Sequence, residues 1–306
     1  GGLVALCGAL TYAEIGSRYP VTGGYYKGFA KAYHPSIAFA INCIILVSNA
    51  ASISGVALIG SGYLLKLFPG TFTDIDKALV SSAAILVFYL INLKGLKTSS
   101  VTQNILMMIK ITMVIVLISA LFFPDKYAVN DAAKSVAAPE QAFTWIDWVK
   151  SLGISLIAVS FTYGGYQQTI NLGNDVHNPS KNIPRGIFIG ILIIIGLYML
   201  VNLSYFNIVG FNQMKGEKEI AYVVIDRIFG TGGASVFSAF LFLGVLAYVN
   251  GSLLSNPRVM YAMGDDGSLP KIFARHNTQT NVTTVSLTIF AALCIVILYF
   301  SQEFEK

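Results

Sequence analysis

Residues 154–185, ISLIAVSFTYGGYQQTINLGNDVHNPSKNIPR, bring together groups able to bind a small polar molecule. An apolar run reaches Phe161 and Thr162 and then meets Tyr163, Gly164, Gly165 and Tyr166, followed by Gln167, Gln168, Thr169 and Asn171. Each glycine weakens a helix by about 1 kcal/mol relative to alanine. In hydrocarbon the backbone freed at such a break must be buried in protein or line a cavity. Freed carbonyls suit an ammonium group, and a helix N-terminus suits a carboxylate. The chemistry is therefore recognition without bond-making. A broken apolar helix is a pointer to the substrate site of a secondary transporter. The competing reading of the same two residues is a close glycine contact between helices.

Lys110 is the second such residue. It lies midway along NILMMIKITMVIVLI with no acid nearby in sequence. A lysine near the bilayer centre costs about 2.5–3.5 kcal/mol on insertion scales and usually faces the bundle interior. Snorkelling towards Lys94 and Lys97 would have to cover about 18 Å at 1.5 Å per residue. A lysine held in hydrocarbon also loses its proton more easily, which makes protons a candidate coupling partner. His34, His177 and His276 fall at the ends of apolar runs without ligand spacing, and no nucleophile sits beside a base. No metal site, cofactor or enzyme chemistry is expected. Cys7, Cys43 and Cys294 each lie in an apolar run and read as buried, inert thiols.

The elements that position these residues are membrane helices. Of 306 residues 55% are hydrophobic and 11% charged, with mean hydropathy +0.67. A soluble domain carries about 25% charged residues, so this chain has too little charge to cover a water-facing surface. The net charge of +5 then belongs to loops and does not point to nucleic acid. A spanning helix needs about 20 largely apolar residues. On that measure residues 35–65, 78–93, 98–124, 151–174, 186–214, 228–257 and 282–301 are spans, with residues 1–13 the end of another. Gly1 opens inside an apolar segment without Met, so the chain is expected to be a fragment and no signal peptide is read. Lysines and arginines counted over alternate loops place those of Arg18, Lys94, Arg185 and Lys271 on the cytoplasmic side. Two tyrosine-bearing leads, residues 25–30 and 221–225, each precede a long span from opposite sides of the membrane. An inverted repeat would produce that arrangement, as would two interfacial helices.

Four stretches resemble the amino acid–polyamine–organocation (APC) superfamily of amino acid permeases. They are ALTYAEIGSRYPVTGG at residues 9–24, FTYGGY at 161–166, NPSKNIPR at 178–185 and NGSLLSNPRVMYAMGDDGSLP at 250–270. They stand in family order and spacing, so the resemblance covers essentially the whole chain. It implies an all-α polytopic bundle of the LeuT-like inverted-repeat fold. Residues 1–306 would form one transmembrane domain running from the second helix to the ninth, lacking the first helix and the C-terminal ones. Residues 1–123 would be the remainder of the first repeat, 151–306 most of the second, and 124–150 the extracellular or periplasmic connection. Two features depart from the family pattern. Gly264-Asp265-Asp266-Gly267 stands where an Arg-Asp-Gly run is usual, and Asn174-Asp175 where a Glu is frequent. Both put gating contacts in doubt more than substrate class.

The resemblance implies secondary active transport of amino acids or closely related amines across the plasma (cell inner) membrane by alternating access, with the lipid bilayer as surroundings. Phe161 would close over the substrate, or else pack as an ordinary core ring. Thr162, Tyr163, Gly164, Gly165 and Tyr166 would offer backbone groups. Gln167, Asn250 and Ser252 would line the pocket or else bond between helices. Glu14, Arg18, Asp175 and Arg185 would form cytoplasmic gate pairs or stay solvated. Several sodium-independent members carry a fifth-helix lysine where sodium-coupled relatives hold an ion, and Lys110 is similar. The alternative is a membrane receptor or membrane enzyme using the same polar cavity. A transferase would show clustered His, Asp or Glu near one membrane face, and a channel a repeated pore loop; neither pattern is present in the sequence.

Overall fold

A computed structural model describes residues 1–123, 144–215, 217 and 219–303, with only the backbone of 157–161 and 301–303. Among the described residues all regular elements are helices. In chain order they are α1 (Gly2–Arg18), α2 (Gly24–Ala32), α3 (Pro35–Leu65), α4 (Asp74–Leu93), α5 (Leu96–Ser119), α6 (Trp145–Tyr163), α7 (Pro179–Ile208), α8 (Phe211–Met214), α9 (Ile220–Asp265) and α10 (Thr284–Glu303). Gly230, at φ 72°, kinks α9 near its start. Residues 35–65, 96–122, 179–208 and 220–265 are long and apolar enough to cross a membrane. The other expected spans are helices of 17 (α1), 20 (α4), 19 (α6) and 20 residues (α10). Within the expected 124–150 connection, residues 124–143 lie outside the described residues.

The chain folds into two compact units. One holds Gly1–Thr11, Thr112–Tyr166 and Gly186–Phe237; the other holds Tyr12–Ile111, Gln167–Arg185 and Ser238–Lys306. In the second unit α3 packs on α2, α4 and α10, and α4 on α10. The buried face of α3 explains the close contact: Ala38, Asn42, Leu46, Ala50, Ser54 and Ala57 recur at helical spacing and most are small. Small residues let membrane helices approach until backbone polar groups meet. The Ser54 hydroxyl accordingly donates to the Cys294 carbonyl of α10 at 2.7 Å. Ile37, Val47 and Ile59 on the other faces of α3 are exposed, as a lipid-facing surface requires. In the first unit the Ser204 hydroxyl of α7 donates to the Leu117 carbonyl of α5 at 2.7 Å.

Helix α6 begins at Trp145, six residues before the expected span. Thr144 and Asp147 form a reciprocal capping box there, which satisfies two otherwise orphaned N–H groups. Trp145 and Trp148, the chain's two tryptophans, are 74% and 67% exposed; such rings mark a membrane–water interface. The Thr144 hydroxyl and N–H hold the Asp147 carboxyl below its usual range, and the Thr73 N–H and hydroxyl do the same for Asp76 at the start of α4. A carboxylate lowered in the folded state stabilises above the unfolded value of about 3.9 and loses that contribution as pH falls through the folded one. Both first turns are therefore expected to fray below about pH 4, seen as faster amide exchange there. Thr144→Ala should bring that fraying to neutral pH in α6 alone.

Candidate substrate site

The expected break is present. Helix α6 ends at Tyr163; Gly164 is extended (φ −63°, ψ 163°) and Gly165 takes φ +112°, a region open to glycine and strained for other residues. Beyond it the expectation that the helical span runs on to residue 174 is corrected. Tyr166–Asn171 and Gly173–Asp175 are 3-10 turns, and α-helix resumes only at Pro179. Tertiary hydrogen bonds explain the difference. The Asn171 carbonyl accepts from the Gly23 N–H (3.1 Å), the Gln168 carbonyl accepts from the Ser255 hydroxyl (3.1 Å), and Thr22 bridges to Leu172. Carbonyls held this way compete with the intrahelical ladder of residues 167–172.

In the first unit, Tyr163 stacks edge-on against Tyr198 of α7 at 5.3 Å between centroids, and the Tyr198 hydroxyl donates to the Thr162 carbonyl at 3.5 Å. The Tyr166 hydroxyl lies where any Cβ on Gly8 of α1 would stand. The side chain of Phe161 is outside the described residues.

In the second unit a cavity of about 280 Å³ opens against the segment that follows the break. Gln167 and Gln168 line it together with Tyr12 of α1, Tyr25 of α2, and Ile44, Ile45, Ser48 and Asn49 of α3. The volume sits at the small end of ligand pockets, about 300–1,000 Å³. Tyr25 is 4% exposed and its hydroxyl is buried. The nearby Asn171 side chain accepts from the Tyr25 N–H (3.4 Å) and donates to Ser255 (3.2 Å). Asn49 donates to Asn256 of α9 at 2.7 Å.

The other expected residues are placed as follows. Asn250 is fully buried and joins α9 to α4 and α5: it accepts from Asn92 (2.9 Å) and donates to Gln103 (2.8 Å) and the Ser99 carbonyl (3.3 Å). Ser252 is buried one residue past Gly251, and neither it nor Asn250 lines the cavity. Arg18 pairs with Glu14 at 2.5 Å on an exposed face of α1, and Arg185 is exposed. Asp175 binds neither arginine. Its carboxylate accepts from Nε of Arg258 at 2.9 Å, with side-chain exposures of 19% and 8%. Arg258 also donates to the Leu254 carbonyl of its own helix. Lys110 is on an exposed face of α5, and among the described residues no ion pair includes it.

Beside this pair the same end of the unit is stitched together. Lys27 pairs with Asp266, and the buried Tyr26 hydroxyl bonds Ser268 at 2.9 Å. The Leu96 N–H donates to the Thr280 carbonyl at 3.0 Å. Loops grouped on one membrane side by their charges are thus bonded to one another. The family's implied gate reading missed Arg258, although it is the only charged residue between Arg227 and Asp265, and such a residue in a long apolar helix calls for a partner.

The model of the amino acid permease family matches residues 1–304. The chain belongs to that family. Similar proteins include the serine/threonine exchanger SteT of Bacillus subtilis, 26% identical over 276 residues, 88% of this chain and 59% of the exchanger. The b(0,+)-type amino acid transporter 1 of Mus musculus is 23% identical over 299 residues, 96% of this chain and 60% of that protein. The cystine/glutamate transporter of Homo sapiens is 23% identical over 306 residues, 97% of this chain and 59% of that protein. The chain spans about 60% of the length of these relatives, which are transporters and exchangers by name, not enzymes. Family and apolar helices together make it a multi-pass membrane protein.

Proposed function

We propose that the full-length protein is a secondary transporter of amino acids or close amines, working by alternating access in the plasma membrane. The observation that carries this is the unwound segment after Tyr163, in a chain matched to the permease family along its length. The names of the relatives, exchangers and transporters of amino acids, support the substrate class. In this reading Phe161 closes the site, the backbone of Thr162, Tyr163, Gly164, Gly165 and Tyr166 meets the zwitterion, and Gln167 faces the side chain. Glu14, Arg18 and Arg185 lie at the cytoplasmic mouth, where Asp175 takes Arg258 as its partner. Residues 1–123 belong to one inverted repeat and residues 151–306 to the other.

Lys110 takes the role of a coupling sodium ion, with protons as the candidate partner. What supports this is a single cation in the apolar run of residues 98–122, where exposure to lipid carries the insertion cost given above. The test is uptake of a labelled amino-acid mixture into proteoliposomes holding the full-length protein. Saturable uptake, competed by unlabelled amino acids and unchanged when choline replaces sodium, is expected. Lys110→Met should abolish uptake or remove its pH dependence while the protein still inserts. A requirement for a sodium gradient, or a Lys110→Met variant with wild-type rate and pH profile, would overturn the coupling role.

A further inference from the structure

Resting on the transport reading, we infer that Asn171 and Ser255 are positioning residues: a one-way chain of hydrogen bonds through them holds the Gln167–Gln168 wall of the cavity against α2 and α9. The chain starts at α2. Its N-cap residue is Gly23, and no side-chain cap is made there. Tyr25, two residues on, carries one of the first-turn N–H groups that a cap side chain ordinarily takes. Asn171 supplies that cap from outside the helix. Its Oδ1 accepts from the Tyr25 N–H at 3.4 Å, and its carbonyl accepts from the Gly23 N–H at 3.1 Å. A backbone N–H can only donate, so the amide must turn its oxygen to Tyr25 and its nitrogen away. That nitrogen meets Ser255 Oγ at 3.2 Å. An amide nitrogen only donates, so Ser255 accepts there and gives its one proton to the Gln168 carbonyl at 3.1 Å. The order of donors is thus fixed from Tyr25 to Gln168. Asn171 is fully buried and Ser255 is 3% exposed, so severing the chain leaves a buried group without a partner, which is costly. The local ladder holds this wall only weakly: residues 166–171 form a 3-10 turn, whose hydrogen-bond geometry is poorer than that of an α-helix. Gln167 and Gln168 both line the cavity, so fixing the Gln168 backbone on Ser255 fixes where both side chains stand.

The test separates substrate affinity from folding. In proteoliposomes of the full-length protein, labelled amino acids are offered one at a time, and KM is measured for the one transported best. Ser255→Ala is expected to raise that KM about tenfold, the equivalent of one lost hydrogen bond. The maximal rate per folded, inserted molecule should stay within about twofold, as for a group that acts on binding alone. Asn171→Ala should do the same. The double variant should raise KM no further than either single one, because each break severs the same chain. Ser255→Cys disturbs the packing least and keeps a weak donor and acceptor in place; its KM should rise by less, about threefold. A merely structural role would lower the number of folded molecules and leave KM alone. An unchanged KM in Ser255→Ala or Ser255→Cys therefore sinks the inference while leaving transport standing. So do KM effects that multiply in the double variant. Absence of uptake of any amino acid by the wild type overturns the transport reading, and this inference with it.

Discussion

Arg258→Met is expected to destabilise the protein by about 3 kcal/mol, the lower end of the cost of stripping one partner from a buried ion pair. The lower end applies because the Asp175 side chain keeps 19% of its surface exposed. The reason is asymmetry. With Arg258 present, Asp175 meets a guanidinium 2.9 Å away. With methionine there, the carboxylate stays partly buried and loses its partner, while the methylene packing of the arginine stem is largely retained. Asp175→Asn should cost less, because the amide oxygen can still accept from Nε while the guanidinium, 8% exposed, loses its counter-charge. The double variant should be more stable than the sum of the single losses predicts, since neither orphan remains. Denaturant titration of the purified protein and its three variants measures this cycle. A coupling below about 1 kcal/mol would class the pair with exposed surface pairs.

The sequence showed the helices and the break more clearly than the partners. Apolar run length is a property of local composition, so α3, α5, α7 and α9 could be read directly. The break at Gly164 and Gly165 was equally local, because two adjacent glycines interrupt an otherwise apolar helix. What followed the break was not legible: the 3-10 turns of residues 166–175 depend on the carbonyls of Gln168 and Asn171 being taken by Ser255 and Gly23, residues far away in sequence. The same applies to the cavity. Gln167 lay beside the glycines and was found, whereas Tyr12 and Tyr25 sit in an ordinary apolar helix and a loop helix whose docking no local pattern encodes. Asn250 illustrates the opposite case. Polar residues in membrane helices serve packing or binding alike, and here three bonds to α4 and α5 engage its side chain.

Gly173→Ala should be as damaging as Arg258→Met, at about 3 kcal/mol or more, although it adds a single methyl group. A Cβ on Gly173 would stand 2.5 Å from the Val21 nitrogen, 2.7 Å from the Pro20 carbonyl carbon and 2.8 Å from the Val21 oxygen. All three are backbone atoms, so no rotamer change makes room. Overpacking ordinarily costs about 1–3 kcal/mol because side chains yield; here the loop of residues 19–23 must move as a whole. Moving it pulls the Gly23 N–H from the Asn171 carbonyl and the Tyr25 N–H from the Asn171 side chain, and so loosens the cavity wall as well. Gly24→Ala meets the Ile170 carbonyl from the other side and should behave alike. Gly196→Ala in α7 is the control: nothing lies within 4 Å of its Cβ position, and the gain in helix propensity is up to about 1 kcal/mol. Thermal unfolding in detergent separates the cases. Gly173→Ala with wild-type stability would mean that the loop and the unwound segment do not make this contact in solution.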